Sequence, residues 1–398
     1  MPVQCKDNQT FLAKALPNVT ILLVIPASMN QHLRVNIQRN VKPSYCSLQR
    51  FRFSPVIHYR GIPDYFQNLP NKTMKRLLAY VATGSLLVAS CTESNLLDEK
   101  ITQSNANGER SCVSRELLES KLQTDPKLKE RYESIERHTK SMDEARLNSL
   151  GQIEIPVIIN VLYVNDVAAE NLTMDRIQSQ IDALNRDFNA ANPDVVNTPQ
   201  LFAPLVADLD IQFVLAGVNR RKVNKYWWDT NDAMKSSKKG GIAPTNPTEY
   251  LNIWLVPGLL HRHKDLFGYA QFPGGNPQTD GVVISTTFFG TVGAVNSAYG
   301  KGRSTTHNVG HWMNLHDIWG VRTCGDDLVA DTPQANASNI GTCPVYPHYS
   351  TCAGTPIEMF MNYMDEPHDE CRIMFTQGQK SRALAVFAPG GPRASFAD

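Results

Sequence analysis

The chain has 398 residues, enough for two domains or for one large domain behind targeting and pro-segments. Its 39 basic residues stand against 38 acidic ones. So close a balance excludes a global field that would carry the chain onto nucleic acid or an anionic membrane, and partners have to be read from sites.

Residues 1–73 lack clear periodicity and carry scattered Pro, Arg and Asn. They read as an over-extended, unstructured start, because Met74 opens "MKRLLAYVATGSLLVASC", with two positive charges, an apolar run over 77–88 and small residues before a cysteine. That pattern predicts a signal peptide over 74–90, too short and too weakly flanked for a permanent membrane span. Val88, Ala89, Ser90 and Cys91 resemble a bacterial lipobox, which makes Cys91 the lipidated first residue of the mature chain. The expected location is the bacterial cell envelope, with the membrane reached only through that lipid anchor, or secretion. The remaining cysteines then belong to an oxidising compartment.

Residues 91–149 are polar and charged, and "RELLESKLQTDPKLKERYESIERHTKSM" predicts a broken amphipathic helix. This is a tether followed by a pro-segment rather than a domain. Order begins with "IEIPVIINVLYV" at 153–164, whose apolar, β-branched run predicts a buried strand. In "TMDRIQSQIDALNRDFNAAN", Ile177, Ile181, Leu184 and Phe188 recur at helical spacing behind Thr173 as a cap. Further strands are predicted at 211–216, 250–256 and 281–284. Strands and helices mixed in this order predict an α/β (α+β) domain with a mixed sheet over 150–398.

A second helix, ending near Asn314, is predicted in "KGRSTTHNVGHWMNLHDIWG". His307 and His311 stand at i and i+4, so both imidazoles leave one face a turn apart, as a shared metal requires. Asn314 suits the left-handed turn that ends a helix, and a ligand three residues on can return to the metal. The following "TCGDDLVADTPQANASNIGTCPVYPHYSTCAGTP" is almost pure loop and needs a clamp. Cys324, Cys343, Cys352 and Cys371 supply one; they admit three pairings, while their wide spacing lacks the close pairs of a second zinc site.

"GHWMNLHDIWG" resembles the metzincin zinc proteases, whose pattern is His-Glu-x-x-His-x-x-Gly-x-x-His followed by a Met-turn. More narrowly it is similar to the pappalysin (cytophagalysin) branch, as are "YLNIW", "GYAQFPGG", "DGVVI", "VADTPQ", "MFMNYMD" and "MFTQGQ". The resemblance implies a twisted mixed sheet, an active-site helix and an irregular, disulfide-clamped C-terminal subdomain. It implies zinc-dependent cleavage of protein or peptide substrates, with His307 and His311 as ligands and Met364 as the Met-turn methionine. The third ligand position holds Asp317, a chemically acceptable zinc ligand, with His316 as the alternative if the turn slips by one residue.

Two further positions depart from the family pattern. The general base position holds Asn308, and a carboxamide has no useful basicity, so turnover should fall by about a hundred- to ten-thousandfold. Glu366 stands where the family has an oxyanion-stabilising Tyr; an ionised carboxylate there repels an oxyanion, unless Glu366 has itself become the base. The resemblance also implies a cysteine switch at Arg110-Ser111-Cys112 and disulfides Cys324–Cys352 and Cys343–Cys371. Calcium is expected among Asp326, Asp327, Asp331 and Thr332, and Asp369 is the acid that selects Arg or Lys after the scissile bond. The expected function is that of a zinc endopeptidase with lost or severely impaired turnover; the alternatives are an active enzyme with an unconventional base, and a non-catalytic peptide-binding or structural lipoprotein.

Overall fold

The computed structural model describes residues 10–16, 19–24 and 112–397; the signal peptide, Cys91, Arg110 and Ser111 lie outside the described residues. The chain divides into two compact units, Met1–Ala89 and Ser90–Asp398. In the first, β1 (Thr10–Leu16) pairs antiparallel with β2 (Val19–Val24). Here the structure differs from the expectation that 1–73 is unstructured. "TFLAKAL" and "VTILLV" are short apolar runs separated by Pro17 and Asn18, a combination that favours a hairpin.

The second unit opens with α1 (Ser114–Thr124) and α2 (Pro126–Ser141). The break between them is Asp125, in extended conformation, whose carboxylate accepts the Lys127 and Leu128 N–H groups while Pro126 occupies the first helical turn. Leu128, Tyr132 and Ile135 form the buried stripe of α2. A short helix, α3 (Glu144–Asn148), leads into the sheet.

Five strands form the main sheet: β3 (Ile153–Tyr163), β4 (Ile211–Lys222), β6 (Leu251–Val256), β9 (Gly268–Ala270) and β10 (Val282–Ser285), in the order β4-β3-β6-β10-β9. All neighbours are parallel except β9, which runs antiparallel to β10 at the edge. β4 continues past the predicted 216 because its ladder with β3 persists to Lys222, opposite Tyr163. A small sheet of β5 (Trp227–Asp229), β7 (Gly258–His261) and β8 (Lys264–Asp265) was not legible in the sequence.

Apolar cores cover both faces of the main sheet, which is why β3 and β6 read as nearly continuous apolar runs rather than alternating ones. One face packs Ile155, Ile159 and Ile253 against α4 (Met174–Phe188) and α5 (Arg303–Trp312). α4 begins as expected, with Thr173 accepting the Arg176 N–H. Trp228, Trp254 and Tyr269 fill the other face. Between α5 and α6 (Gln377–Leu384) no helix or strand is present among the described residues. That region is clamped by Cys324–Cys352 and Cys343–Cys371, the two expected pairings, with Cα separations of 5.5 and 5.9 Å.

Candidate metal centre

Every residue of α5 is buried, since the helix packs between α4 and strands β9 and β10. Gly310 permits the closest approach: a Cβ there would meet Met364 Sδ at 2.5 Å, so the Met-turn passes directly beneath the helix. The helix ends as its sequence predicts. Asn314 is left-handed (φ 72°), and Leu315 N–H donates to the Gly310 carbonyl at 2.9 Å, which turns the chain back toward the histidines.

His307 Nδ1 lies 2.9 Å from the Tyr363 carbonyl and His311 Nδ1 2.9 Å from the Leu315 carbonyl. Carbonyls only accept, so both rings carry a proton on Nδ1 and turn Nε2 inward. The two Nε2 atoms are 3.0 Å apart, and each is 3.4 Å from Asp317 Oδ1. Ligands about 2.0–2.1 Å from a tetrahedral zinc lie roughly 3.3 Å from one another. Asp317 Oδ1 is also buried without a hydrogen-bond partner. Two facing nitrogens beside an orphaned carboxylate oxygen are costly unless they share a cation, so the residues present fit zinc.

The electrostatics agree with this reading. Burial and the neighbouring His311 push His307 down to about 3, which keeps its lone pair available. Burial opposes a charge on His311 too, but Asp317 and Cys112 outweigh it and hold the ring well above the usual histidine range. The carboxylate that favours a proton there equally favours a metal ion. His316 is not the substitute ligand: its ring nitrogens meet Arg115, Tyr132 Oη at 3.1 Å and Arg382 Nη2 at 2.9 Å.

Around the triangle stand the residues that depart from the family pattern. Asn308 Nδ2 donates to the Ser304 carbonyl at 2.9 Å, leaving Oδ1 toward Cys112 Sγ at 3.5 Å and Ser114 Oγ at 3.4 Å. Cys112 is a free thiol whose sulfur lies within 4.8 Å of donor nitrogens of both His307 and His311. Glu366 accepts the Cys112 N–H at 2.6 Å and the Ser338 hydroxyl at 2.7 Å. Burial, with the charge of Asp317, pushes its carboxyl up to about 7.

Other expected site residues are engaged elsewhere. Asp369 is buried, one oxygen paired with Arg372 and the other accepting the Lys301 and Arg303 N–H groups at 2.8 and 3.2 Å. Of the expected calcium residues, Asp327 and Thr332 are in contact. Asp326 accepts Leu328 N–H, Asp327 accepts Val329 N–H and the Thr332 hydroxyl, and Asp331 caps α6 through Gly378 N–H. Asp326 and Asp327 thus tie down their own loop, whereas Asp331 ties that loop to α6.

Nothing in the sequence singled out Ser114, Arg115, Tyr132, Glu136 or Arg382. Ser114 Oγ accepts the Ala270 N–H at 2.9 Å, so the start of α1 meets the free edge of β9. A cavity of about 710 Å³ lies between α1 and that edge, with Leu117 and Lys121 on one wall and Tyr269, Gln271 and Phe272 on the other. Glu136 follows Leu128, Tyr132 and Ile135 on one stripe of α2, and an acid within an apolar stripe was the available signal.

The family model described as "Pregnancy-associated plasma protein-A", a peptidase family, matches residues 242–388. An extracellular metalloprotease of Arthroderma benhamiae is 31% identical over 257 residues, covering 61% of this chain and 76% of that protein. One from Verticillium alfalfae is 33% identical over 258 residues, covering 60% and 79%. Among solved structures, a promirolysin mutant from Tannerella forsythia is 36% identical, covers 72% of this chain and 97% of its own, and superposes with a TM-score of 0.63. Mature mirolysin with a cleaved peptide is 39% identical, covers 62% and 96%, and has a TM-score of 0.58. The chain belongs to the pappalysin family of metallopeptidases. As a pappalysin it has a mixed sheet and the buried helix α5, with Asn308, Asp317 and Glu366 beside His307 and His311.

Proposed function

We propose that the chain is a zinc-binding pappalysin that accommodates protein or peptide segments in its cleft but hydrolyses them poorly, and that it is a bacterial envelope lipoprotein anchored through Cys91. One observation carries this reading: the His307, His311 and Asp317 triangle is complete beside an Asn308 that cannot take a proton. Zinc, when bound, supplies Lewis acidity, polarising a carbonyl and making a water more acidic. His307 and His311 hold it through Nε2 and are oriented by two backbone carbonyls, while Asp317 adds negative charge. Asn308 Oδ1 can orient a water but has no basicity with which to deprotonate it.

The outer edge of β9 offers unpaired backbone groups to an extended peptide once the Ser114 segment leaves. The neighbour solved with a cleaved peptide supports a peptide as the occupant. Latency rests on Cys112, held over the histidines by Glu366. Preference for Arg or Lys requires Asp369 to exchange Arg372 for a substrate cation, so Arg372→Met is expected to strengthen binding of Arg-containing peptides severalfold relative to Leu-containing ones. Equal ratios in parent and variant would remove Asp369 from the reading.

The decisive test is Asn308→Glu in zinc-loaded chain released from residues 112–141. Cleavage of a protein substrate should rise at least about a hundredfold over the parent. If Asn308→Glu combined with Asp317→His still cleaves nothing, the proposal fails. A second reading, with Glu366 as base, is favoured by its burial and its carboxyl near 7. Glu366→Gln should then abolish the parent's residual cleavage, and unchanged cleavage would exclude it.

A further inference from the structure

α2 sets a carboxylate at the point where the metal helix terminates. Glu136 Oε1 accepts from Arg382 Nη2 at 2.6 Å and from Asn314 Nδ2 at 3.1 Å, and Oε2 accepts from Arg382 Nη1 at 3.0 Å. The catalytic domain fixes this guanidinium itself. Arg382 projects from α6, is buried, and donates through Nε to the Asn314 carbonyl at 2.8 Å. Its Nη2 also lies 2.9 Å from His316 Nε2, so the guanidinium is held by contacts outside α2, and the Asn314 amide meets Glu136 beside it.

The other contacts of α2 here are of a different kind: Arg131 donates to the Gly274 carbonyl, Tyr132 meets His316, and Ile135 packs beside Gly274. Among them only Glu136 brings a charge opposite to that of its receptor. A bidentate, charge-assisted pair is stronger than neutral hydrogen bonds, and removing one partner leaves the other's buried charge unneutralised. Asn314 is also the left-handed residue that returns the chain to Asp317, so the pair grips the same turn that completes the metal triangle.

We propose that Arg382 and Asn314 form a carboxylate receptor at the end of the metal helix, and that Glu136 is its built-in ligand and the latch that keeps the segment closed over the cleft. This rests on the reading of residues 112–141 as the lock of that cleft. Hydrogen exchange of the α2 amides in the full chain tests it, comparing the parent with Glu136→Gln, Arg382→Gln and the double variant. Each single change should speed α2 exchange about tenfold or more, and the double should add little to either, because both remove the same ion pair. The β3 amides should stay protected in all four.

Smaller acceleration in Glu136→Gln, or effects that multiply in the double, overturn the proposal. Should Arg382→Gln lose β3 protection, Glu136→Lys takes its place. It sets like charges together and should open α2 further than Glu136→Gln; no further opening overturns the latch. The exchange is read without zinc or peptide, so a failure of peptide binding leaves this outcome independent.

Discussion

At Asp317 the loss of one carboxylate should be felt directly by the metal. Outer-shell partners typically contribute about 10–100-fold in metal affinity, and a ligand contributes more, so Asp317→Ala should weaken zinc binding in chelator competition by at least about a hundredfold. Unchanged affinity would return the third place to another group. Gly310 is constrained by packing rather than by backbone freedom. Gly310→Ala pushes Met364 Sδ away from a Cβ at 2.5 Å and should cost about 1–3 kcal/mol, read as a lower melting temperature. Asp327 carries a pH dependence. Burial, only partly offset by Thr332 and Val329, raises its carboxyl from 3.8 to about 7. Between those values the folded chain keeps a proton that the unfolded chain has released, so this group lowers stability progressively as pH rises and reaches its full cost above about 7. Asp327→Asn should narrow the difference in melting temperature between pH 5 and pH 8; an unaltered difference contradicts the assignment.

Among the elements, those whose pattern depends on their own residues were legible. β3 and β6 are apolar on both faces, α4 has its Thr173 cap and helical stripe, and Asn314 marks the end of α5. What escaped depends on remote partners. α1 and α2 look too polar to bury anything, yet Leu118, Tyr132 and Phe272 form a small core of their own, with Phe272 supplied from more than a hundred residues downstream. The three residues of the candidate metal centre were legible because they sit within one helix and its returning turn. Arg382 was not, because its partner Glu136 lies 246 residues away. The loop between α5 and α6 carries the two expected disulfides. Each bridge closes a separation of 28 residues and should contribute about 3–4 kcal/mol. Replacing both Cys324 and Cys352 by Ser should lower the melting temperature by roughly 10 °C, and an unchanged value would show that the loop holds itself.

Over the whole described unit, the segment and the metal domain meet through several contacts spread from the edge of β9 to the turn that ends α5. Ser114 sits on the edge of β9, Cys112 stands over the histidines, and Glu136 grips Arg382. Further out, Glu116 pairs with Arg262 at 2.9 Å and Lys121 with Asp232 at 3.6 Å, exposed pairs that guide docking more than they hold it. Under the proposed function the fold keeps what binds a metal and a chain segment, while an amide stands where a proton would have to move. On that same proposal, His307, His311 and Asp317 together still hold zinc. Metal analysis of the purified full chain after equilibration with zinc and passage through a chelating column tests it most directly. One tightly held zinc per chain, lost in His311→Ala, is the predicted result; a chain that emerges without metal would contradict it.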